Sequence, residues 1–161
     1  MKKALLLPLL LCLFLTACKE DETDPGPLET LIDVDVRKEV KAASGSVKRE
    51  PATAIIHIWP AEGRDFDVEA SGSDIYIGSA YDKNSGEYEA AKYGSVGSHM
   101  NEPIEPGKYF VYVVLMKSSK SGSQAYSYKY FDIKEGETLE LKKTFSHDVP
   151  SETFEAWDKN Q

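Results

Sequence analysis

The sequence has few cysteines, and their positions limit what can hold the protein together. Only two are present in 161 residues, Cys12 and Cys18. No cysteine follows Cys18, so the rest of the chain has no disulfide, no thiolate nucleophile and no cysteine-ligated metal. A domain formed there must be held together by its hydrophobic core.

Positive charge is also in the minority. The chain has 19 lysines and arginines against 27 aspartates and glutamates, a formal net charge of −8. Affinity for phosphate backbones comes mainly from clustered Lys and Arg. We therefore expect no nucleic-acid partner.

Histidine is scarce, with His57, His99 and His147 on separate segments. A zinc site needs three or four ligands that converge on the ion, and the spacing of these residues does not predict such convergence. We expect no metal and no cofactor. His57 lies within an apolar run and is predicted to be a packed histidine.

The one long apolar run of the chain is at its start. It extends from Ala4 to Leu15, follows Lys2 and Lys3, and is interrupted by Pro8. A membrane-spanning helix needs roughly 20 apolar residues, so this run is too short. Its basic start and apolar centre are typical of a signal peptide, which predicts export.

The segment Leu15-Thr16-Ala17-Cys18 resembles the lipobox of bacterial lipoproteins. That resemblance implies that residues 1–17 are a lipoprotein signal peptide and that Cys18 becomes the lipid-bearing N-terminus. Loss of Lys2 and Lys3 would move the net charge to −10. Each buried acyl methylene contributes about 0.8 kcal/mol, so several chains would anchor the protein firmly. The alternative is an ordinary secretory leader with a chance cysteine near its end.

Residues 18–29 are charged and rich in proline, which predicts an extended acidic tether. The run Lys19-Glu20-Asp21-Glu22 resembles the acidic export tag of surface-displayed lipoproteins in one Gram-negative phylum. It implies a lipid anchor in the outer membrane and display on the cell surface. The alternative is a solvated linker that faces the periplasm.

Residues 30–146 have the period-two pattern of β-strands, and no long segment has helical spacing. Turn-forming residues separate the apolar runs. The run Tyr109–Met116 is apolar on both faces, so it should be a central strand. About seven strands are predicted, at residues 31–37, 54–59, 74–81, 87–93, 108–117, 125–133 and 138–145. This predicts a single antiparallel β-sandwich with Greek-key connections.

Three turns carry a more specific resemblance: Asp82 to Tyr88, Ile104 to Tyr109, and Ile133 to Leu141. Their order is similar to that of transthyretin-like, or carboxypeptidase-regulatory-like, sandwich domains. The resemblance implies the sandwich fold and says little about function. The long insertion between Tyr88 and Pro106 departs from the compact family pattern, so the pairing of the middle strands stays open.

Patterns that could support catalysis are weak. Asp82, Asn84 and Gly86 have the start of a calcium loop, but no bidentate Glu closes it, so we predict a plain hairpin turn. No serine lies in a Gly-x-Ser-x-Gly nucleophile elbow. A pair of catalytic carboxylates could be sought among four acidic residues, for which a solvated loop is the simpler interpretation. The four are Asp65, Asp67, Glu69 and Asp74. We expect no enzyme activity.

Aromatic residues give the most suggestive pattern. Tyr126, Tyr128 and Tyr130 recur at spacing two, so on a strand they share one face, opposite Phe131 and Ile133. If Phe131 and Ile133 mark the core, an exposed row of tyrosines remains as a ligand-binding surface. If the tyrosines face the core, the pattern reflects packing. We call Tyr126, Tyr128 and Tyr130 the tyrosine row.

The C-terminal tail, residues 147–161, contains two more aromatic residues. A turn of helix from Ser151 to Trp157, with Ser151 as N-cap, would place Phe154 and Trp157 on one side. These aromatics could dock on the sandwich. Otherwise the tail is frayed or contacts a partner.

Three functional hypotheses follow. The leading one is a non-catalytic binding or accessory module on the envelope that recognises a glycan or an envelope protein. The second is a structural subunit of a surface assembly, such as a pilus-like polymer built by strand addition. The third is a hydrolase, which would need a polar cleft lined by several carboxylates.

Overall fold

The computed structural model describes residues 29–116, 125–150 and 152–158. The leader, Cys18 and nearly all of the acidic tether lie outside these residues. Within them, no helix is long and apolar enough to cross a membrane.

The described residues form an all-β, sandwich-like fold, which confirms the predicted fold class. The elements are β1 (Leu31–Lys41), β2 (Val47–Pro51), β3 (Ala54–Pro60), β4 (Phe66–Asp67), α1 (Val68–Ser71), a 3-10 helix (Gly72–Ile77), β5 (Ser79–Asp82), β6 (Glu87–Ala90), β7 (Tyr93–Gly97), β8 (His99–Pro103), β9 (Gly107–Leu115), β10 (Tyr126–Ile133) and β11 (Thr138–Phe145). More strands are present than the seven predicted, because several are short and polar.

Two four-stranded sheets form the sandwich. In the first, β1 pairs with β11 on one edge, while β8 and β2 share its other edge. The second has the order β10-β9-β3-β7. Alternation along β1 places Ile32, Val34 and Val36 between the sheets and turns Asp33 and Asp35 away from them. The sandwich core is therefore built from the period-two pattern of the sequence.

A third layer covers the outer face of the second sheet. It consists of α1, the 3-10 helix and the small sheet β4-β5-β6, and we call it the covering layer. It packs Phe66, Ile75 and Ala80 against Trp59 and Phe110 of the second sheet. Strand β9 lies between β3 and β10 and is buried on both faces. The prediction of a central strand there is confirmed.

One strand pair departs from the antiparallel prediction. β1 and β11 are parallel over eight residue pairs, from Leu31 opposite Thr138 to Lys38 opposite Phe145. The other pairs among the described strands are antiparallel. Parallel strands cannot be joined by a tight turn, and here the first and last strands of the fold meet with all the other strands between them in sequence.

The prediction of a strand from Asp74 to Tyr81 is wrong over its first half. Residues Gly72–Ile77 form a 3-10 helix, and the strand begins only at Ser79. Gly72 and Gly78, at the two ends, have φ of +55° and +83°, values that glycine adopts without strain. These glycines allow the chain to bend into a helical turn, although Ile75 and Ile77 alternate as in a strand.

The insertion between Tyr88 and Pro106 carries the chain from one sheet to the other. The predicted strand 87–93 is divided into the whole of β6 and the first residue of β7, and β7 pairs with β3 in the second sheet. β8 follows after one residue and pairs with β1 in the first sheet. The insertion thus joins the two layers at this side of the sandwich.

His57 is packed, as predicted for an apolar strand. Its Nε2 lies 3.2 Å from the carbonyl oxygen of Tyr76, and its Nδ1 is buried with no hydrogen-bond partner in the described residues. Burial lowers the pKa of His57, although the contact with the Tyr76 carbonyl acts in the opposite direction. The ring thereby links strand β3 to the covering layer.

We predict that Gly94→Ala destabilises the protein by displacing this ring. A Cβ on Gly94 would lie 2.9 Å from Nδ1 of His57, and such overpacking costs about 1 to 3 kcal/mol of unfolding free energy. The measurement is chemical denaturation.

The matched control is Gly97→Ala on the same strand. There the nearest atom to a new Cβ is 3.8 Å away, so the change should be within about 0.5 kcal/mol. Equal destabilisation by the two variants would contradict the role given to His57.

Candidate functional site

The tyrosine row lies on the face of β10 that turns toward the covering layer. Ser127, Phe131 and Ile133 take the opposite face and enter the sandwich core. Each tyrosine is half-buried, so neither a fully exposed row nor a fully buried one is found. The reason is that the second sheet has an apolar core on each side, which two-layer reasoning from the sequence does not anticipate.

Tyr130 contacts both the covering layer and the second sheet. Its hydroxyl accepts a hydrogen bond from the backbone N–H of Phe66 at 2.7 Å, and its ring lies 5.0 Å from that of Phe110. Burial is the main cause that raises the pKa of Tyr130. This residue fastens the covering layer to β10.

Tyr126 and Tyr128 form a surface cluster with Phe154. The two tyrosine rings are nearly parallel, at 8°, with centroids 6.4 Å apart. Phe154 lies 4.9 Å from Tyr128 and 6.0 Å from Tyr126, and 45% of it stays exposed. The cluster presents rigid aromatic surface to solvent.

The C-terminal segment, residues 152–158, is extended and not helical, so the prediction of a helical turn is wrong; Ser151 lies outside the described residues. Phe154 makes a parallel β-bridge with Tyr126. Trp157 enters the sandwich core and meets Phe131 edge to face at 5.3 Å. Residues three apart point to opposite faces of an extended chain, which is why the two aromatics dock on opposite sides of β10. Docking of the tail on the sandwich is therefore confirmed.

A buried lysine secures the same segment. Lys143 of β11 is 2% exposed and lies 3.3 Å from a carboxylate oxygen of Glu155 and 3.7 Å from one of Asp158. It also donates to the carbonyl of Ala156 at 3.0 Å. Backbone hydrogen bonds from Tyr126 to Thr153 and from Glu155 to Tyr126 complete the attachment.

Between the C-terminal segment, β9, β10 and the covering layer lies a cleft of about 370 Å³, which we call the tyrosine cleft. Its polar and aromatic lining consists of Glu69, Ser73, Tyr76, Tyr112, Tyr126 and Glu152. Tyr112 is 1% exposed, and its ring lies 6.4 Å from Tyr76 and 5.8 Å from Tyr126. Burial, aided by the hydrogen-bonded Tyr76 side chain, raises the pKa of Tyr112.

Local hydrogen bonds fix the wall of the cleft that α1 supplies. Asp67 caps α1 by accepting the backbone N–H of Ala70 at 2.9 Å. The hydroxyl of Ser71 donates to the carbonyl of Asp67 and accepts the N–H of Tyr81 at 2.8 Å. Glu69 is therefore presented from a short but well-anchored turn.

The charge of the tyrosine cleft is negative. Glu69 and Glu152 line it, and none of its other lining residues in the described part of the chain is a lysine, arginine or histidine. Among the residues that the structure describes, neither glutamate forms an ion pair. A ligand in the cleft would meet two unpaired carboxylates.

Asp82, the first residue of the calcium-loop pattern, accepts hydrogen bonds from the backbone of the fold. Oδ1 of Asp82 accepts the backbone N–H groups of Asp65 and Asn84, at 2.9 and 3.1 Å. Burial acts to raise the pKa of Asp82, but these N–H donors outweigh it and the pKa is lowered. The predicted hairpin turn is confirmed, since β5 and β6 are adjacent antiparallel strands.

The acidic residues considered for a hydrolase do not converge in the cleft. Asp67 caps α1, and Asp65 lies 3.0 Å from the ammonium of Lys83. Of those four, only Glu69 lines the tyrosine cleft. Within the described ranges, no group of three or more His, Cys, Asp or Glu is placed to hold a metal ion.

Of the six polar and aromatic residues that line the cleft, the sequence pattern predicted only Tyr126 as a ligand-binding residue. Tyr112 could have been suspected, because it lies on the strand that must neighbour β10. Tyr76 and Glu152 come from distant segments, and no sequence signal joins them. Ligand binding by the tyrosine row stays a prediction, and the lipid site at Cys18 lies outside the described residues.

Comparisons with protein-family models, with curated proteins and with solved structures found no match.

We predict that Tyr130→Phe lowers stability by about 1 to 3 kcal/mol, because it leaves the N–H of Phe66 without its acceptor. The control is Tyr128→Phe, which keeps the ring on the same face of β10 and should be nearly neutral. Thermal and denaturant unfolding of both variants provides the measurement. A neutral Tyr130→Phe would mean that the hydroxyl does not fasten the covering layer.

Proposed function

We propose that this protein is a non-catalytic binding module of the bacterial envelope that binds a glycan in the tyrosine cleft. In this proposal lipid on Cys18 anchors it in the outer membrane, and the acidic tether of residues 18–29 supports display on the cell surface. The observation that carries the binding part is the cleft itself, where aromatic rings and polar groups meet.

The dimensions and lining of the cleft suit a small ligand. Its volume is at the lower end of the range of about 300 to 1,000 Å³ that is usual for ligand sites. Tyr76 and Tyr126, which are half-buried, offer apolar ring surface at low cost in conformational entropy. The buried ring of Tyr112 packs against both. The carboxylates of Glu69 and Glu152 can accept hydrogen bonds from several hydroxyl groups.

These features favour a sugar over a purely apolar ligand. A pyranose ring has an apolar face that can stack on tyrosine and a rim of hydroxyls that can donate to carboxylates. The elements that form the site are also fixed in place, by the Tyr130 hydroxyl on one side and by Trp157 and Lys143 on the other. Such preorganisation lowers the entropic cost of binding.

We predict that Tyr126→Ala weakens glycan binding about tenfold or more, because loss of a central aromatic contact typically costs above 1 kcal/mol. Tyr126→Phe keeps the ring and should retain most of the affinity. The measurement is titration calorimetry on lipidated protein in detergent, with ligands first found on a glycan array.

Two results would contradict the proposal. Binding unchanged in Tyr126→Ala would remove the cleft as the site, provided that the variant melts at a similar temperature to the wild type. Release of new reducing ends from a bound glycan would show that the protein acts as a hydrolase.

The anchor is tested separately. With an alkyne-labelled fatty acid supplied to the native host, we expect label on the wild type and on Cys12→Ala, and none on Cys18→Ala. Whole-cell protease treatment then reports surface display, which should be lost when Lys19, Glu20, Asp21 and Glu22 are replaced by alanine. Label that persists in Cys18→Ala would overturn the lipid assignment.

A further inference from the structure

The negative charge of the tyrosine cleft limits which ligands it can bind. Its two acidic side chains, Glu69 and Glu152, come from different elements, one from α1 and one from the C-terminal segment. Among the lining residues that the structure describes, no cationic side chain balances them. A ligand that is itself anionic would meet like charge there and be repelled by it.

The attachment of the C-terminal segment to β10 determines where Glu152 lies. Its backbone has φ of +51°, the left-handed region that non-glycine residues rarely adopt. The next residue, Thr153, accepts the backbone N–H of Tyr126 at 3.0 Å. That hydrogen bond and the docked Trp157 hold the segment against β10, which keeps the Glu152 side chain at the cleft.

The aromatic walls of the cleft, like its carboxylates, favour a cationic ligand. The face of a tyrosine ring carries negative partial charge and attracts cations within about 6 Å of its centroid. Tyr76 and Tyr126 supply two half-buried rings of this kind. Burial is the main cause that raises the pKa of Tyr126, and the neighbouring tyrosines and the charge of Glu69 raise it further. The field of Glu69 therefore reaches the ring on which a ligand would lie.

We propose that the glycan carries free amino groups, as in a saccharide of glucosamine units, and that one ammonium group is bound by Glu69 and Glu152 against the tyrosine rings. This inference rests on the proposed function, because it specifies the ligand of the same cleft. An ammonium group is a compact charge that donates three hydrogen bonds, so it can pair with more than one acceptor.

The test compares three tetrasaccharides with the same β-1,4 linkage: one of glucosamine, one of N-acetylglucosamine and one of glucose. Affinities are measured by calorimetry on the lipidated protein at pH 6, where amino sugars are largely protonated. We expect the glucosamine oligomer to bind about five- to tenfold more tightly than the two neutral ones. Its advantage should shrink in high salt, because screening weakens charge pairing.

Variants locate the effect within the protein. Glu69→Gln and Glu152→Gln should each weaken binding of the glucosamine oligomer about fivefold. They should weaken binding of the glucose oligomer less, because the glutamine amide oxygen still accepts hydrogen bonds from hydroxyl groups. Glu135→Gln, in the exposed turn between β10 and β11, removes the same unit of net charge away from the cleft. It should change no affinity.

The outcomes separate the two proposals. Equal affinity for the three oligomers, or an unchanged preference in Glu69→Gln and Glu152→Gln, would overturn the ammonium site while leaving glycan binding in place. Failure of all three oligomers and of a wider glycan array to bind would overturn both. Equal loss of affinity in Glu135→Gln would assign the preference to overall charge, which also overturns the site.

Discussion

Strand β9 gives side chains to two separate apolar cores, and this double burial organises the rest of the molecule. Val111 and Val113 face the first sheet, while Phe110 and Tyr112 face the covering layer. A strand buried on both faces must have an apolar layer on each side, because buried side chains need packed neighbours. The protein thus has three layers, although its strand pattern is that of a sandwich.

The third layer creates the candidate site. Without it, Tyr112 and Tyr126 would lie on an open sheet surface. With it, they form the inner part of a cleft whose other walls are α1, the 3-10 helix and the C-terminal segment. The contacts that stabilise this layer, such as the hydrogen bond from Phe66 to Tyr130, are therefore the contacts that shape the cleft.

The C-terminal segment joins the two sheets of the sandwich at one edge. Phe154 packs on the tyrosine face of β10, Trp157 packs between the sheets, and Glu155 pairs with Lys143 of β11. A buried lysine is tolerated there because carboxylates and carbonyl oxygens surround its ammonium group. The segment also carries Glu152, so the same attachment that completes the core places a carboxylate in the cleft.

The amino-acid sequence alone determined the all-β class, the central position of β9 and the common face of Tyr126, Tyr128 and Tyr130. These follow from alternation and turn chemistry, which act over a few residues. Only the tertiary structure decided that residues 74–77 are helical, that β1 and β11 are parallel, and that Tyr76, Tyr112, Tyr126, Glu69 and Glu152 share a cleft. Those outcomes depend on contacts between segments far apart in the chain, and no local pattern records which distant segment will cover a given face.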